Sequence, residues 1–99
     1  MKAAPLMVST QVDEFMQSLP PQARRIMRDA LRGLAEGRGD VGALERELSG
    51  YSKLKVPPYR VIFRHQASPR GPVCYCAFME KREVVYEMAS AIMVEEGHL

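Results

Sequence analysis

A chain of 99 residues with 46% hydrophobic and 26% charged side chains is expected to form one domain, residues 1–99, around one core. Its net charge of +2 is modest, and its composition excludes a disordered or low-complexity chain. No apolar run approaches the length of a membrane span, and residues 3–8 after Lys2 are too short for the apolar part of a secretory leader, so the sequence predicts a soluble, cytoplasmic protein with no membrane partner.

Residues 4–8 predict a short strand. Ser9 or Thr10 can then cap a helix, because either hydroxyl can accept a bond from a free amide of the first turn. Val12, Phe15, Met16 and Leu19 fall at helical spacing, and Pro20-Pro21 ends that helix while Pro21 is acceptable in the first turn of the next. In the second helix Ala23, Ile26, Met27, Ala30, Leu31, Leu34 and Ala35 form an apolar stripe, with Arg24, Arg25, Arg28, Asp29 and Arg32 away from it. Gly37-Arg38-Gly39 supplies the stop, since glycine accepts the left-handed conformation at a helix end. The two predict a helical hairpin with a shared apolar side.

Residues 41–48, with Leu44 and Leu48 four apart, predict one loose helical turn that Gly50 breaks. The period then becomes alternating. Lys53 and Lys55 share one face of a strand over residues 51–56, and Leu54 and Val56 share the other. After a Pro57-Pro58 turn, Arg60, Ile62 and Arg64 lie on one face of the next strand, opposite Tyr59, Val61 and Phe63. Residues 66–72 have hairpin-loop composition. Residues 73–79 predict a central strand buried on both sides, with Cys74 and Cys76 as free thiols, since neighbouring same-face positions suit no disulfide. Val85, Met88, Ala89, Ile92 and Met93 predict a last helix, and residues 95–99 a frayed tail. Helices followed by a strand meander mean α+β, with the hairpin packed on a twisted antiparallel sheet of about four strands and a short C-terminal helix.

Charge is unevenly distributed along this plan. Residues 51–82 carry Lys53, Lys55, Arg60, Arg64, Arg70, Lys81 and Arg82 against the single anion Glu80, a net +6, which leaves −4 for the remainder. A basic face of this kind suits a polyanion, and serves equally to keep a surface soluble. There is no nucleophile elbow, phosphate loop, zinc motif or paired cysteine cluster, so neither a metal nor a cofactor is expected. A phosphodiester among cations from facing strands would have its transition-state charge stabilised without a metal, and arginine suits its oxygens through two parallel bonds. Crowded cations also favour the deprotonated form of a neighbouring phenol or amine, which fits Tyr86 or Lys55 to the role of general base. Each residue has a plainer role open to it as well. The lysines can guard a strand edge, Arg60 and Arg64 can pair with Glu45, Glu47 or Glu80, and Tyr86 can be packing.

Three motifs in order, Leu48-Ser49-Gly50-Tyr51-Ser52-Lys53-Leu54-Lys55, Tyr59-Arg60-Val61-Ile62-Phe63 and Lys81-Arg82-Glu83-Val84-Val85-Tyr86, resemble the RelE/ParE superfamily of toxins from toxin–antitoxin systems. The resemblance covers roughly residues 10–87 and implies a RelE-like fold. It also implies a cognate antitoxin as partner, with operator DNA met only through that complex. Its RelE-like branch implies ribosome-dependent, metal-independent cleavage of mRNA. On this chain the resemblance assigns Lys55, Arg60, Arg82 and Tyr86 to catalysis, and Lys53, Arg64 and Lys81 to RNA binding. A ParE-like, non-catalytic inhibitor of DNA gyrase and a catalytically silent antitoxin-binding module are the alternatives. Three features depart from the family pattern. Pro57-Pro58 replaces a glycine-containing turn, Glu80 stands where a small residue is usual and could pair with Arg82, and four residues separate Arg82 from Tyr86.

Overall fold

The serine at position 9 begins the first helix as its hydroxyl predicts, accepting a bond from the Val12 amide at 3.2 Å. The computed structural model describes residues 4–95, in the order β1 (Leu6–Val8), α1 (Thr10–Ser18), α2 (Pro21–Ala35), β2 (Asp40–Ala43), a 3-10 turn (Arg46–Leu48), β3 (Ser52–Val56), β4 (Tyr59–Gln66), β5 (Val73–Lys81) and α3 (Val85–Glu95). Arg24 locks the helical hairpin, its guanidinium donating to the Met16 carbonyl at 3.2 Å and the Leu19 carbonyl at 2.9 Å. The Met16 carbonyl also accepts the Leu19 amide at 3.2 Å, so the guanidinium reinforces the end of α1, where helical partners run out.

The strands form one five-stranded sheet in the order β1-β5-β4-β3-β2, mixed in direction. β1 runs parallel to β5, and the other neighbours are antiparallel. The expected meander of β3, β4 and β5 is present, flanked by the predicted N-terminal strand and by a β2 that the sequence did not suggest. Residues 40–43 pair with β3 where a loose helical turn was expected, and only Arg46–Leu48 is helical.

One side of the sheet packs against the hairpin. Val12, Leu19, Met27, Leu31 and Leu34 meet Leu54, Val61, Phe63, Cys74, Cys76 and Met79 in a buried cluster. Ile26, expected in the apolar stripe, is 52% exposed, because the buried line of α2 runs through Met27, Leu31 and Leu34 and leaves it at the margin. On the other side Val85 and Ala89 of α3 cover Leu48, Ile62, Ala77 and Phe78. The side chains of Ile92 and Met93 and the expected tail beyond Glu95 lie outside the described residues. Both thiols are free and buried, and a hydrogen bond with Cys74, followed by burial, pushes the Cys76 thiol far above the ordinary cysteine range.

Strand β5 contains a bulge. Ile62 pairs with Phe78 but Phe63 with Cys76, so Ala77 is an extra residue and the alternation of the strand inverts there. Ala77 and Phe78 both enter the α3-side cluster as a result. The bulged carbonyl accepts a 2.6 Å bond from the Ser9 hydroxyl. Two residues on, the Gln11 amide donates to the Met79 carbonyl at 2.7 Å and accepts from the Met79 amide at 2.8 Å, as a neighbouring strand would.

Candidate functional site

Alternation in β3 puts Leu54 in the hairpin-side core and sends Lys53 and Lys55 to the side of α3. Register then aligns them with their neighbours. Lys55 stands directly opposite Arg60, Arg60 opposite Glu80, and Asp40 of β2 opposite Lys55 on its other flank. A row of charge, Asp40, Lys55, Arg60 and Glu80, therefore crosses four strands. Pro57-Pro58, joined by a cis peptide bond, closes the β3–β4 turn with the Lys55–Arg60 register intact. Two pairs along, on the same face, Lys53 stands opposite Ile62 and Gly42, and a side chain at position 42 would crowd the Lys53 stem at 3.2 Å.

Arg60 is the unusual member of the row. It is only 9% exposed, and its Nε is fully buried without a hydrogen-bond partner. An unpartnered buried donor on a cation is expensive, and native structures keep few of them. Arg60 lines a cavity of about 440 Å³ together with Asp40, Lys55, Pro57, Pro58, Arg82 and Glu83. Arg82 is held there by its own backbone, whose amide donates to the Pro58 carbonyl at 3.1 Å. Three cations from three separate segments thus share one cavity with two carboxylates.

Glu80 does not engage Arg82 in an ion pair among the described residues, and its carboxylate accepts from the Lys81 amide at 3.1 Å. Tyr86 lies on the same side of the sheet, half-buried against the cluster of Leu48, Ile62 and Phe78, and does not line the cavity. Arg64 sits between two rings at the far end of the same face, 5.3 Å from the centre of Tyr51 and 5.6 Å from that of Tyr75. Its Nη2 donates to Gln66 at 3.2 Å, and its Nε is buried without a partner. Lys81 stands apart, because register sets it opposite Tyr59, which packs into the hairpin-side core. The cavity thus unites Lys55, Arg60 and Arg82, whereas Lys53, two pairs away on the same face, and Tyr86, Arg64 and Lys81 lie outside it.

Asp40 and Glu83 are the lining residues that sequence reasoning missed. Asp40 belongs to the unforeseen β2, and Glu83 was legible only as the neighbour of Arg82. Among the described residues no three His, Cys, Asp or Glu side chains cluster as metal ligands. An anion with several acceptor oxygens is the natural occupant, since it would take the free donors of Arg60 and meet Lys55 and Arg82 at once.

No protein-family model matches the sequence, and no curated protein shows significant similarity to it. In fold, the chain is similar to a chain of the toxin–antitoxin complex RelBE2 from Mycobacterium tuberculosis, with a TM-score of 0.67 and 18% identity over 82% of this chain and 100% of that one. It is similar also to a chain of the archaeal RelE–RelB complex from Pyrococcus horikoshii OT3, with a TM-score of 0.57 and 24% identity over 82% of this chain and 97% of that one. The architecture is RelE-like, as the sequence motifs implied.

Proposed function

We propose that this chain is the toxin of a RelE-type toxin–antitoxin system and cleaves mRNA on the ribosome without a metal ion. The observation that carries the reading is Arg60, a buried guanidinium with a free donor, facing Lys55 and opening on the cavity that Arg82 also lines. In the reaction a ribose 2′-hydroxyl loses its proton to a base, and its oxygen attacks the adjacent phosphorus. The bond from phosphorus to the 5′-oxygen breaks, and that oxygen takes up a proton. The products are a 2′,3′-cyclic phosphate and a free 5′-hydroxyl. Arg60 stabilises the equatorial oxygens and Arg82 serves the leaving oxygen; with Tyr86 as the base Lys55 joins Arg60 as a cation, and with neutral Lys55 as the base Arg60 acts there alone. Lys53, Arg64 and Lys81 hold flanking RNA. No cofactor enters.

One of the two solved chains comes from a toxin–antitoxin complex and the other from a RelE–RelB complex, which supports a cognate antitoxin as partner here, with operator DNA reached only through that complex. The test is mRNA cleavage on translating ribosomes in magnesium buffer, with the protein first treated with EDTA and desalted to strip any metal of its own. The wild type should cut, while Arg60→Ala and Arg82→Ala should each lose about a hundredfold or more. Full cleavage by both variants sinks the assignment. A second reading is favoured by the position of Tyr86 outside the cavity and of Asp40 and Glu83 within it. It is a non-catalytic toxin or a silent antitoxin-binding module, signalled by accumulating gyrase–DNA breaks or by harmless expression, with mRNA intact in both cases.

A further inference from the structure

Outside the cavity, Arg64 is fixed in place without being neutralised. Its guanidinium carbon lies 5.3 Å from the centre of the Tyr51 ring and 5.6 Å from that of Tyr75, and its Nε is buried without a partner. Both rings are anchored through their backbone. Tyr75 pairs with Arg64 across β4 and β5, while the Tyr51 amide donates to the Leu48 carbonyl and the Tyr51 carbonyl accepts from the Leu44 amide, each at 3.0 Å. Among the described residues no carboxylate pairs with Arg64, and its Nη2 bond to Gln66 leaves Nη1 without a partner in the protein. Two rings thus hold a charged, planar fork whose outer edge keeps donors for a ligand.

Arg64 follows Arg60 by four residues of β4, so the two project from one face about 13 Å apart at about 3.3 Å per residue. Lys53, opposite Ile62, stands at the step between them. Cations therefore recur along this face about every 6.6 Å, first Lys55 with Arg60, then Lys53, then Arg64, close to the spacing of successive phosphates in an unstacked strand. We infer that Arg64, clamped by Tyr51 and Tyr75, is a second phosphate seat, which binds the link two nucleotides from the one held at Arg60 and does no chemistry there. The choice of RNA as the polyanion rests on the reading above, which the inference deepens by fixing the link that Arg64 holds and the course of the strand along β3 and β4. Tyr51 and Tyr75 are positioning residues, acting only through Arg64.

The probe is a series of 2′-O-methyl oligoribonucleotides, which cannot be cut, followed by fluorescence anisotropy on the isolated chain. The tetranucleotide is the shortest with two phosphates two links apart, and it should bind about fivefold or more tightly than the trinucleotide. Arg64→Gln should lose that step, show a salt slope shallower by about 0.7 with the tetranucleotide, and bind the dinucleotide as the wild type does, which shows that it remains folded. Arg64→Lys, keeping the charge without the fork, and Tyr51→Leu/Tyr75→Leu, keeping the fork without the clamp, should each recover less than half of the step. No step in the wild type, an equal loss at every length in Arg64→Gln, or full recovery in Arg64→Lys overturns the inference. So does an oligoglutamate of the same charge that binds as tightly as the tetranucleotide. Cut messages without the step end this inference alone, and the step without cut messages ends the nuclease reading alone.

Discussion

On the hairpin side of the sheet, Leu54, Val61, Phe63, Cys74, Cys76 and Met79 meet Val12, Met27, Leu31 and Leu34 in one continuous buried cluster. On the other side Ile62, Ala77 and Phe78 meet Leu48, Val85 and Ala89, and the neighbouring positions belong to Lys53, Lys55, Arg60 and Arg64. The first face holds the fold together by apolar burial. The second gives up part of that burial to keep cations beside a cavity. Changes on the hairpin face should therefore register as lost stability, and changes at the cavity-lining cations of the other as lost chemistry.

The largest effect expected on the hairpin face is that of Met27→Ala. This side chain is 1% exposed, and its loss should cost about 2–5 kcal/mol in urea unfolding. On the opposite face Arg60→Met should lower cleavage by about a hundredfold or more while holding or raising the melting temperature, because it removes a buried donor that has no partner. A large loss of stability in Arg60→Met would erase the contrast between the faces. Gly39→Ala should cost about 1–3 kcal/mol, since this residue sits at φ 123° and a Cβ would meet Leu54 Cδ1 at 2.7 Å. Ser9→Ala removes the α1 cap and should cost about 1 kcal/mol. Arg64→Gln, losing contact with the rings of Tyr51 and Tyr75, should cost about 0.5–1 kcal/mol, the smallest change of the series.

The elements that the sequence announced are those with strong periodicity. The stripe of α2 and the alternating lysines of β3 place Leu54 inward and the cations outward without ambiguity. β2 escaped because Asp40-Val41-Gly42-Ala43 is short and scarcely patterned, and its strand conformation comes from pairing with β3. The Ala77 bulge was hidden for the opposite reason. Residues 73–79 are apolar almost throughout, so a shift of phase leaves no trace in composition. The site was half legible: Lys55, Arg60 and Arg82 converge as their strands imply. The position of Tyr86 is set by how α3 lies on Ile62 and Phe78, a packing choice that local spacing does not encode.

The Gln11 side chain occupies both backbone groups of Met79. Just before it, the Ser9 amide and hydroxyl take the carbonyls of Cys76 and Ala77. A glutamine and a serine thus finish the border that the three residues of β1 begin, and the long β5 offers no bare margin past Val8. Whatever joins this rim meets a template only one strand-turn long, too brief to seed endless stacking of copies. Replacing Gln11 with alanine would leave both Met79 backbone groups without this partner, and urea unfolding should show a loss of about 1–3 kcal/mol.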